Sequence, residues 1–128
     1  MRRIFYIFLL GFIGGAMRGY FTALAGPNHF AATVAINLIG AFVLAFITGA
    51  LPYLIELSDD LTIGLSVGLV GGFTTFSTFS YDSVNLLLNH KIGLGLFYIL
   101  ISLIGGLLMA ELGTHLGHRF EKGVDNND

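Results

Sequence analysis

Between Ile4 and about Leu116 the chain reads as four apolar blocks separated by three short polar interruptions. The blocks cover roughly residues 4–24, 30–51, 61–88 and 92–116, and each reaches the roughly 20 residues that a helix needs to cross a bilayer. A chain in lipid must satisfy its backbone hydrogen bonds internally, which leaves helices or a closed barrel. The reading is an all-α membrane protein with four transmembrane helices. Residues 1–128 form one such domain, with residues 119–128 as a polar tail. Only 11% of the residues are charged and 55% are hydrophobic, whereas a soluble protein carries about 25% charged residues. There are too few charges to cover a globule.

The interruptions carry turn chemistry. Gly26-Pro27-Asn28 makes the first. Pro52 and an acidic loop with Glu56, Asp59 and Asp60 make the second, and Asn89-His90-Lys91 the third. The start of the chain could also be read as a signal peptide, with Arg2 and Arg3 before an apolar centre and Ala23-Leu24-Ala25 as a cleavage site. Arg18 between that centre and the site argues against cleavage, as does the equal hydrophobicity of the remaining chain. Arg2, Arg3, Arg119 and Lys122 fall on one side of a four-span chain; Lys91 falls on the other, with Arg18 the one further candidate there. Lysine and arginine in short loops mark the cytoplasmic side, so both termini are expected there, by a margin small enough to leave dual insertion open.

Several function classes drop out. A net charge of −2 without a basic patch gives no case for nucleic acid, and the absence of cysteine removes thiolate chemistry and disulfides. No Ser-His-Asp order, paired carboxylate set or phosphate-cradling glycine loop is present, and Gly14-Gly15 precedes no lysine. An enzyme is not expected. Glu111, His115 and His118 share a helical face and make a metal site conceivable, without a further ligand in view. His29 and His90 fall in loops with no specific meaning.

Small residues recur every four positions: Gly11 and Gly15; Ala41, Ala45 and Gly49; Gly64, Gly68 and Gly72; Ser102, Gly106 and Ala110. Such stripes let membrane helices approach closely. A chain this short has little room for a polar cavity of its own, so any pathway is expected between subunits.

The third block is interrupted by Gly71-Gly72-Phe73-Thr74-Thr75-Phe76-Ser77-Thr78-Phe79-Ser80. Each glycine weakens a helix by about 1 kcal/mol relative to alanine, and the threonine hydroxyls compete for backbone hydrogen bonds. These features predict a break at residues 71–75. At membrane depth a broken helix is tolerated only when buried in protein or lining a polar cavity, and such breaks build ion sites. Phe76 and Phe79, three apart, project from one side of the helix, either as core packing or with their rings edge-on to a pore. An aromatic ring is negative on its face and positive at its edge, so rings held edge-on stabilise a small anion without trapping it. Ser77, Thr78 and Asp82 could supply a parallel polar row, and Tyr98 and Ser102 share one face of the last span. Arg18 could snorkel or form an anion-attracting vestibule; Asn37 could join helices or offer N–H donors.

With Arg18 upstream and Asn37-Leu-Ile-Gly40 between, the Gly71–Ser80 string resembles the Fluc/CrcB fluoride channels over nearly the whole chain. The resemblance implies a homodimer whose subunits insert in opposite orientations, with two fluoride pathways along the interface. It implies that Phe76 and Phe79 form an aromatic box, that Asn37 donates to fluoride, that Arg18 sits near the vestibule and that Ser77 and Thr78 belong to a polar track. Asp82 stands where the family often has glutamate, one methylene shorter; Tyr98 and Ser102 fit fourth-span positions. A structural sodium ion on the dimer axis, held by the main-chain carbonyls of Gly71 and Thr74, is implied as well. The function implied is passive, electrodiffusive export of fluoride, giving fluoride resistance, in the plasma membrane of a prokaryote. The rival is a small proton-coupled multidrug exporter, also four-span and dimeric, for which Glu111 is the only carboxylate in the last span.

Overall fold

The computed structural model describes residues 1–125, and every regular element among them is helical. Helix α1 (Arg2–Ala25) ends at Gly26, whose φ of 52° suits a residue without Cβ. A 3-10 turn, Gly26–Asn28, leads into α2 (His29–Leu54). After an extended link, α3 (Asp59–Ile63) continues as a π-helical stretch, Gly64–Val70, and then α4 (Gly71–Phe73). Two extended residues separate α4 from α5 (Phe76–Leu88), and α6 (Ile92–Asp125) closes the chain. The tail expected from residue 119 is helical as far as Asp125; residues 126–128 lie outside the described residues.

Three helical stretches are long and apolar enough to cross a membrane: Arg2–Leu51, Asp59–Leu88 and Ile92–Phe120. The first joins two of the apolar blocks, because the turn at Gly26–Asn28 is itself helical in hydrogen bonding. At 1.5 Å per residue a straight helix of 50 residues would run about 75 Å, more than twice the hydrocarbon thickness. It is not straight. Arg18 and Asn37 lie on opposite sides of Gly26, yet they bond to the adjacent residues Thr74 and Thr75, so the chain folds back at the turn.

Packing follows two parallel registers. Helix α1 ascends beside the stretch Asp59–Phe73: Arg3 pairs with Asp60 at 3.0 Å, Gly11 meets Gly72, and Phe21 meets Phe73 ring to ring at 6.4 Å. A Cβ placed on Gly72 would lie 3.2 Å from the Cα of Gly11, so this approach requires glycine. Helices α2 and α6 match likewise, from Phe30 against Tyr98 (5.7 Å, edge to face) to Gly49 against Gly117. Of the small-residue stripes, Gly11, Gly49, Gly64, Gly68 and Gly72 serve contacts within the chain, whereas a Cβ on Gly15 or Gly106 would meet nothing within 4 Å. The start of α3 is fixed by Ser58, whose hydroxyl accepts from Leu61 N, with Asp59 and Asp60 placed favourably at the positive end of the helix dipole.

Within the helices, Thr33, Thr48, Ser66, Ser83, Ser102 and Thr114 each donate their hydroxyl to the carbonyl four residues back. That is how a hydroxyl is satisfied where water is absent. The outward faces are apolar, with Phe8, Phe12, Leu88 and Leu107 all exposed. An apolar surface of this kind on helices long enough to span a bilayer fits a multi-pass membrane protein.

Candidate functional site

The site is built on Thr74 and Thr75, whose backbones are extended (φ −76°, ψ 160° and φ −146°, ψ 115°). Gly71 and Gly72, expected to share in a break over residues 71–75, are instead helical within α4. The helix penalty of glycine is outweighed here by the contact of Gly72 with Gly11, and the interruption is confined to the threonines. Thr74 turns its hydroxyl back to Val70 O at 3.0 Å. The Thr75 hydroxyl caps α5 by accepting from Thr78 N at 3.2 Å and donates to the Thr78 hydroxyl at 3.0 Å. Threonine supports both the extended backbone and the cap.

Two extended residues free backbone groups that must find partners in a dry environment. Asn37 of α2 takes both groups of Thr75: its Nδ2 donates to Thr75 O at 2.9 Å, and its Oδ1 accepts from Thr75 N at 2.8 Å. Arg18 of α1 donates from Nη1 to Thr74 O at 3.2 Å. Asn37 has a second N–H and Arg18 four further donors, so both keep capacity for a ligand. Because Thr75 N turns to Asn37, the Gly71 carbonyl loses its regular helical donor. The carbonyls of Gly72, Phe73 and Thr74 lose theirs as well where the helix stops, and that of Thr74 accepts from Arg18 instead. Carbonyl oxygens suit a hard cation. Gly71 is exposed, open to oxygens from elsewhere.

Two depressions flank the extended pair. One, of about 270 Å³, is lined by residues that include Asn37, Gly71, Thr74, Thr75 and Phe76. The other, of about 460 Å³, is lined by Arg18, Thr22, Thr75, Ser77 and Thr78 among others. Arg18 is half-buried there, a cation beside a row of hydroxyls. Rings continue from the break: Phe76 to Phe79 (centroids 5.9 Å), Phe79 to Tyr98 (5.6 Å) and Tyr98 to Phe30 (5.7 Å). Phe76 is 79% exposed, so its ring stands outside the chain's own core.

At the far end of this ring series Tyr98 donates its hydroxyl to Asp82 Oδ2 at 3.2 Å. Asp82 is only 3% exposed and lies 3.6 Å from His29 Nε2 through its other oxygen. The structure brings together Arg18, Asn37, Ser77, Thr78, Phe76, Phe79, Tyr98 and Asp82 as one connected set. Ser102 stands apart, its hydroxyl bonded to Tyr98 O one turn back. His29, given no meaning by its loop position, belongs to the set. Its partner is 53 residues away in sequence, and no local pattern announces it. Thr33, which no role was expected of, is fully buried with its hydroxyl on His29 O. Glu111 is exposed on α6, and among the described residues no group of three or more His, Asp or Glu could hold a metal ion.

The family model described as CrcB-like protein, Camphor Resistance (CrcB), matches residues 5–114. Fluoride-specific ion channel FluC 2 of Listeria innocua serovar 6a is 42% identical over 118 residues, which is 89% of each chain. Fluoride-specific ion channel FluC 1 of a Bacillus cereus strain is 37% identical over 124 residues, 91% of this chain and 90% of the relative. Fluoride-specific ion channel FluC 1 of Desulfitobacterium hafniense is 39% identical over 114 residues, 84% and 97% respectively. The matched region holds the turn at Gly26, the extended threonines, the rings and the buried carboxylate together, and the chain belongs to the CrcB family.

Proposed function

We propose that this protein is a fluoride-selective channel exporting fluoride passively, as the names of its relatives state for them that they are fluoride-specific ion channels. The observation that carries the reading is the exposed Phe76 ring, set beside Phe79 and backed by an amide, hydroxyls and one half-buried arginine. Fluoride holds its water tightly, so a pathway must replace that water with many weak donors. Ring edges of Phe76 and Phe79, the second N–H of Asn37 and the hydroxyls of Ser77 and Thr78 form such a series, with the Tyr98 ring further on. Arg18 raises the local anion concentration at the entrance without contacting every step. A larger halide cannot keep all these short contacts in a rigid, narrow passage.

The chain makes four passes, the turn at Gly26 separating the first two, and the third is interrupted at Thr74–Thr75. Phe76, Ser77 and Gly71 are exposed on the single chain, which supports a second copy covering them. In this reading the copies insert in opposite orientations and two pathways run along their interface. The carbonyls of Gly71 and Thr74 from both copies, the latter also accepting from Arg18, would hold a structural sodium ion that fixes the two interruptions against each other. Hydrogen fluoride enters neutral and ionises inside. An inside-negative potential then drives the anion out of the cell, with about 2.3 kcal/mol per 100 mV.

The test is ion efflux from liposomes holding the purified protein, followed with fluoride- and chloride-selective electrodes. The expected result is rapid fluoride efflux with little chloride efflux. Equal rates for the two halides, or none for either, would overturn the proposal.

A further inference from the structure

We propose that His29 is a charge-compensating residue for the fluoride pathway, its protonated imidazole neutralising Asp82 and so making flux rise as pH falls. The inference rests on the channel reading above. Asp82 is 3% exposed, and its Oδ1 faces His29 Nε2 at 3.6 Å while Oδ2 accepts from the Tyr98 hydroxyl. Tyr98 packs against Phe79 at 5.6 Å, so the carboxylate is one side chain removed from the rings that line the path. A buried carboxylate without a counter-charge repels a passing anion, and the low dielectric around it leaves that repulsion strong. The tyrosine donates a hydrogen bond but no charge.

His29 supplies the charge. It opens α2 beside the Gly26–Asn28 turn, lies against Phe30 at 4.0 Å between ring centroids, and is half-exposed, which leaves it open to proton exchange. The groups facing Asp82 are His29 from α2 and Tyr98 from α6; on α1, Arg18 is turned to Thr74 O instead. His90 and Lys91 belong to the neighbouring link between α5 and α6. Histidine ordinarily changes charge between about pH 5 and pH 8. A charged imidazole facing the Asp82 carboxylate leaves no net charge beside the path; an uncharged one leaves the carboxylate unbalanced, and anion passage slows.

The experiment measures fluoride efflux from liposomes across about pH 5 to pH 8, with the flux of protein-free liposomes subtracted at each pH. The expected wild-type flux rises on the order of tenfold on acidification, the scale of one nearby charge at partial screening. His29→Gln is expected to be flat at the alkaline level and His29→Arg flat at the acid level. A His29→Gln protein that keeps the wild-type slope would overturn the inference and leave the channel reading standing. Absence of fluoride flux at every pH would remove both. Should His29→Gln fail to fold, the imidazole signal of His29 in the intact wild-type protein, followed by NMR over the same range, decides. A titration midpoint coinciding with the flux midpoint supports the pairing, and separate midpoints overturn it.

Discussion

Asn37 and Thr75 form a closed two-bond clasp, with the Asn37 amide donating to Thr75 O at 2.9 Å and accepting from Thr75 N at 2.8 Å. No other residue type of this size offers a donor and an acceptor with that spacing. Asn37→Ala leaves both backbone groups of Thr75 unsatisfied, at about 1–3 kcal/mol each. Detergent-solubilised Asn37→Ala is expected to unfold at lower temperature than wild type and to lose most fluoride flux. Asn37→Asp keeps the acceptor but loses the donor and adds an anion, so it is expected to lose flux more completely. Wild-type thermal stability in Asn37→Ala would show that the clasp contributes little.

Arg18 acts by charge as well as by its bond to Thr74 O. Arg18→Lys retains the cation and is expected to retain a substantial part of the flux, whereas Arg18→Gln loses it. Charge attraction is screened by salt, with a Debye length of about 8 Å at physiological ionic strength. Residual fluoride flux through Arg18→Gln is therefore expected to depend less on ionic strength than wild-type flux. Equal salt dependence in the two would rule out a vestibule role.

Replacing a ring by an aliphatic side chain keeps apolar volume while removing the positive edge. Phe76→Ile and Phe79→Ile are each expected to lower fluoride flux by an order of magnitude or more, with elution in size-exclusion chromatography unchanged. Phe79→Ile also removes the contact with Tyr98 and is expected to destabilise the fold more than Phe76→Ile, whose ring is exposed. Unaltered flux in both variants would take the rings out of the mechanism.

The two adjacent glycines separate packing from exposure. A Cβ on Gly72 would press on the Gly11 backbone, and overpacking of this kind costs about 1–3 kcal/mol. A Cβ on Gly71 meets nothing within 4 Å. Thermal unfolding is expected to show Gly72→Ala destabilised and Gly71→Ala equal to wild type or slightly better. In the proposed dimer Gly71 borders the axis, so Gly71→Ala is expected to weaken association instead, read from concentration-dependent crosslinking.

Long apolar blocks made the helices readable from the sequence, and stripes of small residues part of their close contacts: Gly64, Gly68 and Gly72 meet α1, whereas on α6 the contacts fall on Gly113 and Gly117 rather than on Gly106. The interruption was readable only to within a few residues. A glycine pair weakens an isolated helix, but Gly72 lies against Gly11, and packing overrides propensity where backbones touch. The identity of partners was not legible at all. Nothing near Asn37 in sequence says that it grips Thr75, and nothing near His29 points to Asp82, because those pairings are set by how antiparallel helices come into register. Ser102, placed by its spacing from Tyr98, spends its hydroxyl on the Tyr98 carbonyl. Helical spacing identifies a shared face without telling which side chains are already occupied on it.

The exposure of the Phe76 ring carries a consequence for stoichiometry. That ring is 79% exposed on the single chain, so under the proposed assembly conduction depends on encounters between copies. At low abundance, transport capacity would then grow faster than the amount of protein in the membrane. A cell making equal amounts of intact and ring-deficient chains would place a damaged copy in about three-quarters of its pairs, and since each passage borrows rings from both members, one faulty copy would impair two passages at once.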